Sequence, residues 1–287
     1  MKEFVSRLAI QRVGIVGACL MLACTALIPT ERVMATAEPG NPYQILTPAP
    51  SGKKNRMYHL DEVTIDYGNS SQGYVMVKHK RTRLGLKVRI SFGKMVCTYD
   101  LNKRGEYEVF PLQMGDGRYK VEVFRKAEKG SILVASKTVN AKLVTPNIAF
   151  LYPNQYINYK GDSKAVAKSY ELCNGYRTDR EKATAIYAYC SREISYQYTQ
   201  AFNVKRGYLP DIDRVLEEKV GICFDYAALM ACMLRAQGIA TQLVIGNADG
   251  VYHAWNNVLL DGKWYRYDAA SVSTSNKVRN YVEERHY

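Results

Sequence analysis

The chain is predicted to be an α+β protein: an antiparallel, immunoglobulin-like β-sandwich followed by a core of helices and a second antiparallel sheet. Three observations predict it. Between Met57 and Leu143, short alternating apolar runs recur with turn residues between them. From Asp162 to Gly238 the apolar spacing lengthens to a helical period. Extended runs then return, and two of them bracket Asp261-Gly262, a dipeptide suited to a two-residue hairpin turn. Strands, then helices, then antiparallel strands describe an α+β architecture.

The elements follow in order. Lys2, Arg7 and Arg12 precede an uncharged apolar run over 13–28, and Ala35-Thr36-Ala37 supplies a small-residue cleavage site before Glu38. Residues 1–37 are therefore expected to be a signal peptide of a secreted or cell-surface protein. A lipoprotein cut at Val16-Gly-Ala-Cys19 is the runner-up, and a retained anchor the third option. Pro and Gly enrichment marks 38–56 as a linker. A sandwich domain is expected over 57–145, with strands at 62–66, 73–77, 86–90, 106–110, 118–124 and 132–135. The stretch 100–105 begins like a calcium loop, but Arg104 stands at a ligand position and Pro111 where a bidentate Glu belongs, so it is expected to be a hairpin turn. A second domain over 146–287 opens with a crossover at 144–160. Helices are then expected at 162–173, capped by Asp162 or Ser163, and at 180–194, capped by Thr178 or Asp179. A third, capped by Asp211 or Asp213, ends at Lys219, and a strand covers 240–245.

Charge and cysteine usage bound the function. Without residues 1–37 the chain keeps 36 basic and 25 acidic residues, a formal charge of +11, which suits contact with an anionic cell envelope. The densest basic stretch, 78–83, is expected to be a solvated loop, and no nucleic-acid fold signature accompanies it, so nucleic acid is not an expected partner. Beyond Cys19 and Cys24 there remain Cys97, Cys173, Cys190, Cys223 and Cys232, an odd number consistent with one free reactive thiol. Cys223 and Cys232 lie about 13 Å apart along one helix, too far to bridge. No pair has metal-ligand spacing, and neither metal nor cofactor is expected; Cys97, Cys173, Cys190 and Cys232 read as small buried apolar residues.

The chemistry converges on one helix. Over 224–234 only Asp225 is charged, so this helix should be buried on nearly all sides and end at Gly238. Cys223 opens it, facing unpaired backbone N–H groups and the positive end of the helix dipole, a setting that favours the thiolate. Gly221 removes a side chain two residues earlier, leaving space for close approach. Of the four histidines only His253 lies in an apolar strand-like run. With the turn at Asp261-Gly262, Leu260 pairs with Lys263 and Trp255 falls opposite Asp268. His253 is then on the same face as Trp255 and diagonal to Asp268, within reach of its carboxylate.

Gly221-Ile-Cys223-Phe-Asp-Tyr-Ala, Leu234-Arg-Ala-Gln-Gly-Ile, His253-Ala-Trp-Asn and Trp264-Tyr-Arg-Tyr-Asp268 resemble, in order, the motifs of the transglutaminase-like superfamily. The resemblance covers roughly the C-terminal half. It implies a papain-like core with a Cys–His–Asp triad for acyl transfer: Cys223 the nucleophile, His253 the base and Asp268 the group that orients it. The chain departs from the common pattern at Asn257, where Glu is frequent, and at Ala269-Ala270, which follow Asp268 in place of Pro-Thr. The implied enzyme forms a thioester on Cys223. Water as acceptor makes it a protease or amidase, the favoured expectation; an amine makes it a cross-linking transglutaminase. A non-catalytic envelope-binding protein with a vestigial triad is the competing class. The expected substrate is a protein or a peptidoglycan peptide; its identity and the oligomeric state stay open. One oxyanion donor is the N–H of Cys223, with the second sought around 196–200.

Overall fold

The computed structural model describes residues 43–287 except 61, 81–84, 104, 275–277 and 279. The expected signal peptide, both of its cysteines and half of the basic stretch at 78–83 lie outside the described residues. Lys78 and His79 close a strand, and His79 is buried beside Glu62 rather than solvated.

Two four-stranded antiparallel sheets come first. One has the order β1-β2-β3-β6, from β1 (Met57–Leu60), β2 (Val63–Asp66), β3 (Tyr74–His79) and β6 (Glu108–Pro111). The other has the order β5-β4-β7-β8, from β4 (Leu86–Phe92), β5 (Met95–Leu101), β7 (Gly117–Lys126) and β8 (Ser131–Ala141). Val63, Ile65, Val75, Val77 and Phe110 of the first sheet are buried, as are Val88, Ile90, Tyr99, Val121 and Val123 of the second. The rings of Tyr99 and Phe110 meet edge-on across the sheets at 5.5 Å. Two strands were not expected. β5 escaped detection because Met95, Val96 and Cys97 are consecutive apolar residues, with the first two exposed, which breaks the period-2 pattern. The stretch 100–105 is not a hairpin turn: β5 and β6 belong to different sheets, so it is a crossing between them. Asp, Asn and Gly favour both kinds of turn equally. The expected linker lies along the first sheet. Ile45 is buried, and Ser51 donates from N and Oγ to the two carboxylate oxygens of Asp66 at 2.6 and 2.7 Å.

The helical core has α5 (Cys223–Ala236) at its centre. Every residue from Asp225 to Ala236 is buried, as a helix that is apolar all round requires. Around it pack α1 (Lys164–Leu172), α2 (Asp179–Glu193) and α4 (Ile212–Glu218), with the short α3 (Tyr198–Phe202) between α2 and α4 in the chain. Thr178 caps α2 in a reciprocal box with Glu181, and Asp211 caps α4 through the N–H of Arg214. Ser163 precedes α1 without capping it; its Oγ instead accepts from the N–H of Lys160. Lys219 ends α4 with φ of 53°, a left-handed residue four positions before Cys223. Gly238, at φ of 74°, takes the chain out of α5.

The last sheet has the order β13-β12-β11-β14, from β11 (Thr241–Ala248), β12 (Val251–Leu260), β13 (Lys263–Tyr267) and the unexpected β14 (Tyr281–His286). It packs on α5 through β11 and β12. The buried Arg235 near the end of α5 donates to the carbonyls of Tyr152, Thr241 and Tyr287, joining helix, crossover and final strand. Aromatic rings link the sheets to the core: Tyr99 meets Tyr156 at 5.9 Å, and Tyr156 meets Phe224, the residue after Cys223, at 5.7 Å.

Candidate active site

Cys223 is the first residue of α5 and is half-buried, whereas Cys97, Cys173, Cys190 and Cys232 are buried free thiols. Burial pushes all four up, Cys173 to about 11 and Cys190 to about 12. Gly221 serves a different purpose from the one expected. A Cβ there would meet the Cβ of Asp225 at 2.7 Å, so the space is taken by the helix's own carboxylate. That carboxylate accepts from the N–H of Ile222 at 2.9 Å and from the Tyr208 hydroxyl at 2.7 Å, pinning the turn that presents the thiol.

The hairpin register follows the count from Asp261-Gly262: Leu260 pairs with Lys263 and Asn256 with Tyr267. β13 ends there, and Asp268 becomes the N-cap of a short helix α6 (Ala269–Ser273), accepting the Ser271 N–H on Oδ1 at 3.0 Å. Its Oδ2 lies 2.8 Å from Nε2 of His253 and accepts the Tyr281 hydroxyl at 2.7 Å. Cys223 lines the same groove and is close enough to His253 to help hold its proton. Because Nε2 faces Asp268, Nδ1 is the ring nitrogen left for the sulfur. The structure thus brings together Cys223, His253 and Asp268, and adds Tyr281 behind them.

The electrostatics favour a protonated His253. Burial opposes the charge, but the hydrogen bond to Asp268, then the nearby Cys223 sulfur, outweighs it and raises the imidazole to about 10. Burial likewise works to raise Asp268, yet His253, Tyr281 and the Ser271 N–H hold it below the usual carboxylate range. Trp255 is buried, stacks near His253 and meets the Tyr281 ring at 5.0 Å, so it braces both partners.

Residues outside the triad complete the arrangement. β9 (Ser195–Tyr196) pairs in parallel with β10 (Val220–Gly221), which sets Tyr196 beside the helix start. The Tyr196 hydroxyl is within hydrogen-bond reach of both the sulfur and the backbone N–H of Cys223. This falls inside the 196–200 window expected for a second oxyanion donor. Asn256 carried only a motif signal, and Tyr281 carried none, since it follows Asp268 by thirteen residues on a separate strand. Cys223 and His253 open on a groove of about 1190 Å³ whose walls include Tyr156, Tyr198, Phe202 and Tyr252, and also Val96 and Thr98 of β5.

Residues 166–269 match the Transglutaminase-like superfamily. No curated protein matches the chain. Among solved structures, a candidate cysteine protease from Cytophaga hutchinsonii is 18% identical, with a TM-score of 0.43, over 71% of this chain and 77% of its own. A candidate protease from Parabacteroides distasonis is 18% identical (TM-score 0.32, 65% of this chain, 37% of its own). The transglutaminase of red sea bream is 11% identical (TM-score 0.31, 72% of this chain, 49% of its own). The present chain therefore spans less than half the length of the latter two. The segment 166–269, which brings Cys223 beside His253 and His253 onto Asp268, is a transglutaminase-like domain.

Proposed function

We propose that the protein is an exported cysteine enzyme that cleaves peptide or carboxamide bonds through a thioester on Cys223. The placement of Cys223 beside His253, which is itself held by Asp268 and Tyr281, carries this reading. With His253 protonated, the thiol proton already rests on Nδ1; the Cys223 sulfur attacks the carbonyl carbon, a C–S bond forms and the carbonyl π bond opens. The carbonyl oxygen, now an oxyanion, is stabilised by the Cys223 N–H and the Tyr196 hydroxyl. Collapse breaks the C–N bond, His253 returns its proton to the departing amine, and the thioester remains. Water, deprotonated by His253, then releases the acid and restores the thiol. Asp268 keeps Nε2 engaged throughout, so the ring presents Nδ1 to the sulfur.

Hydrolysis is preferred over amine transfer because Cys223 is only partly buried and opens on a groove of about 1190 Å³, which leaves its thioester open to water. The paired sheets act in this reading as an immunoglobulin-like module that helps bind the substrate, a protein or a peptidoglycan peptide. The +11 charge keeps the secreted enzyme on an anionic envelope. The test is mass spectrometry of a glutamine-containing peptide pool incubated with wild type and with Cys223→Ser, with and without a primary amine. Cysteine-dependent hydrolysis supports the reading. Amine adducts without hydrolysis move the enzyme to the cross-linking class, and no Cys223-dependent product in either arm leaves a binding protein.

A further inference from the structure

The groove beside Cys223 has a wall made of unpaired backbone. β5 is an edge strand, paired only with β4. The β4–β5 turn is a two-residue hairpin closed by Phe92 and Met95, so that pair exchanges both of its hydrogen bonds. Alternation then directs the N–H and C=O groups of Cys97, Tyr99 and Leu101 toward β4, and those of Val96, Thr98 and Asp100 away from it. The outward direction is independently visible at Asp100, whose carbonyl accepts Nε2 of Gln155 at 3.0 Å. Among the described residues no hydrogen bond engages the outward groups of Val96 and Thr98. These two residues line the same groove as Cys223 and His253.

Sheet edges are ordinarily blunted by charge, proline or a bulge. The opposite edge of this sheet follows that rule: β8 carries Lys137, and its pairing with β7 shifts register at Val123/Phe124. β5 does not. From Met95 to Tyr99 it is uncharged and free of proline, its pairing with β4 is regular, and Met95 and Val96 are exposed. Exposed Tyr198, Phe202, Val251 and Tyr252 line the same groove.

We propose that β5 is a docking edge for substrate: an extended polypeptide adds to it as a further strand, pairing with the backbone of Val96 and Thr98 and passing over Cys223. This rests on the reading of Cys223 as the nucleophile and narrows its substrate to unfolded or extended chain. A bare small amide gains nothing from the edge, whereas an extended backbone supplies the acceptors and donors that Val96 and Thr98 lack. The flanking apolar and aromatic side chains then select among sequences.

The experiment has two arms. In the first, kcat/KM is measured for a pool of random-sequence dodecapeptides and for p-nitrophenyl acetate. Thr98→Pro removes an outward N–H without breaking a bond to β4, and the peptide-to-ester ratio is expected to fall about tenfold or more. Thr98→Val, which retains the N–H, is expected to hold that ratio within about twofold. In the second, amide hydrogen exchange at Val96 and Thr98 is followed by NMR in Cys223→Ser with and without saturating peptide pool, with slowing of about tenfold expected at both. An unchanged ratio in Thr98→Pro, or unchanged exchange at Val96 and Thr98, overturns the docking edge. If wild type turns over neither substrate, the catalytic reading fails by itself, and the exchange arm still decides whether β5 receives a strand.

Discussion

The side-chain amide of Asn256 donates to the carbonyl of Ala227 at 3.0 Å, fastening the strand that carries His253 to the helix that begins at Cys223. A second donation, to the carbonyl of Gln242 at 3.2 Å, ties the same side chain to β11. Asn256→Leu removes both buried bonds. We expect a loss of about 2 kcal/mol in urea unfolding and a fall in kcat larger than any rise in KM, because the His253–Cys223 distance loosens while the groove remains. Equal stability and kcat in the variant would dissociate this contact from the site.

The raised His253 sets a pH dependence. The folded chain holds that proton more tightly than the unfolded one, so its contribution to stability is complete below about pH 6.5 and is lost as pH climbs to about 10. Asp268 is shifted down, so its contribution is present above about pH 4 and is lost on acidification through its lowered value. Tm of wild type should therefore decline from pH 7 to 10, and this slope should flatten in His253→Gln.

Thiol reactivity separates Cys223 from its neighbours. With the other four cysteines of the folded region buried and pushed up, iodoacetamide at pH 6 should label Cys223 alone in native protein, read by peptide mass spectrometry. Labelling below about pH 8 should disappear in His253→Ala. Asp268→Asn should keep the fold yet lower kcat by roughly a thousandfold, since the ring loses the carboxylate that holds its orientation.

The turn before Cys223 tolerates no extra atom. Gly221→Ala places a methyl 2.7 Å from the Asp225 Cβ, and Asp225→Ala removes the acceptor for Ile222 and Tyr208. Each should cost about 1–2 kcal/mol and reduce Cys223 labelling, and Gly221→Ala in an Asp225→Ala background should cost less than the sum. Strict additivity would show that the glycine is needed for something other than room for the carboxylate.

Tyr196→Phe removes the hydroxyl beside the Cys223 N–H. The expected result is a kcat lower by about tenfold to a hundredfold with KM little changed, as befits a donor that acts on the transition state.

What the residues determined without any structure was local. The apolar run over 224–234 dictates a buried helix, because no face of it can be left in water. Asp261-Gly262 dictates a two-residue turn, and the register runs as counted as far as Asn256 opposite Tyr267; Asp268, one residue beyond β13, meets His253 as the N-cap of α6. Tertiary structure decided the rest. Tyr281 reaches Asp268 from the last strand, Tyr196 reaches Cys223 through a two-residue parallel pairing, and Asn256 spans from strand to helix. Each is a single contact between segments far apart in sequence, and neither periodicity nor turn chemistry encodes such a meeting. The same holds for β5. Its consecutive apolar residues hide it from the period of two, and that it forms a wall of the groove beside Cys223 depends on how the two sheets pack against the core, through rings such as Tyr99, Tyr156 and Phe224.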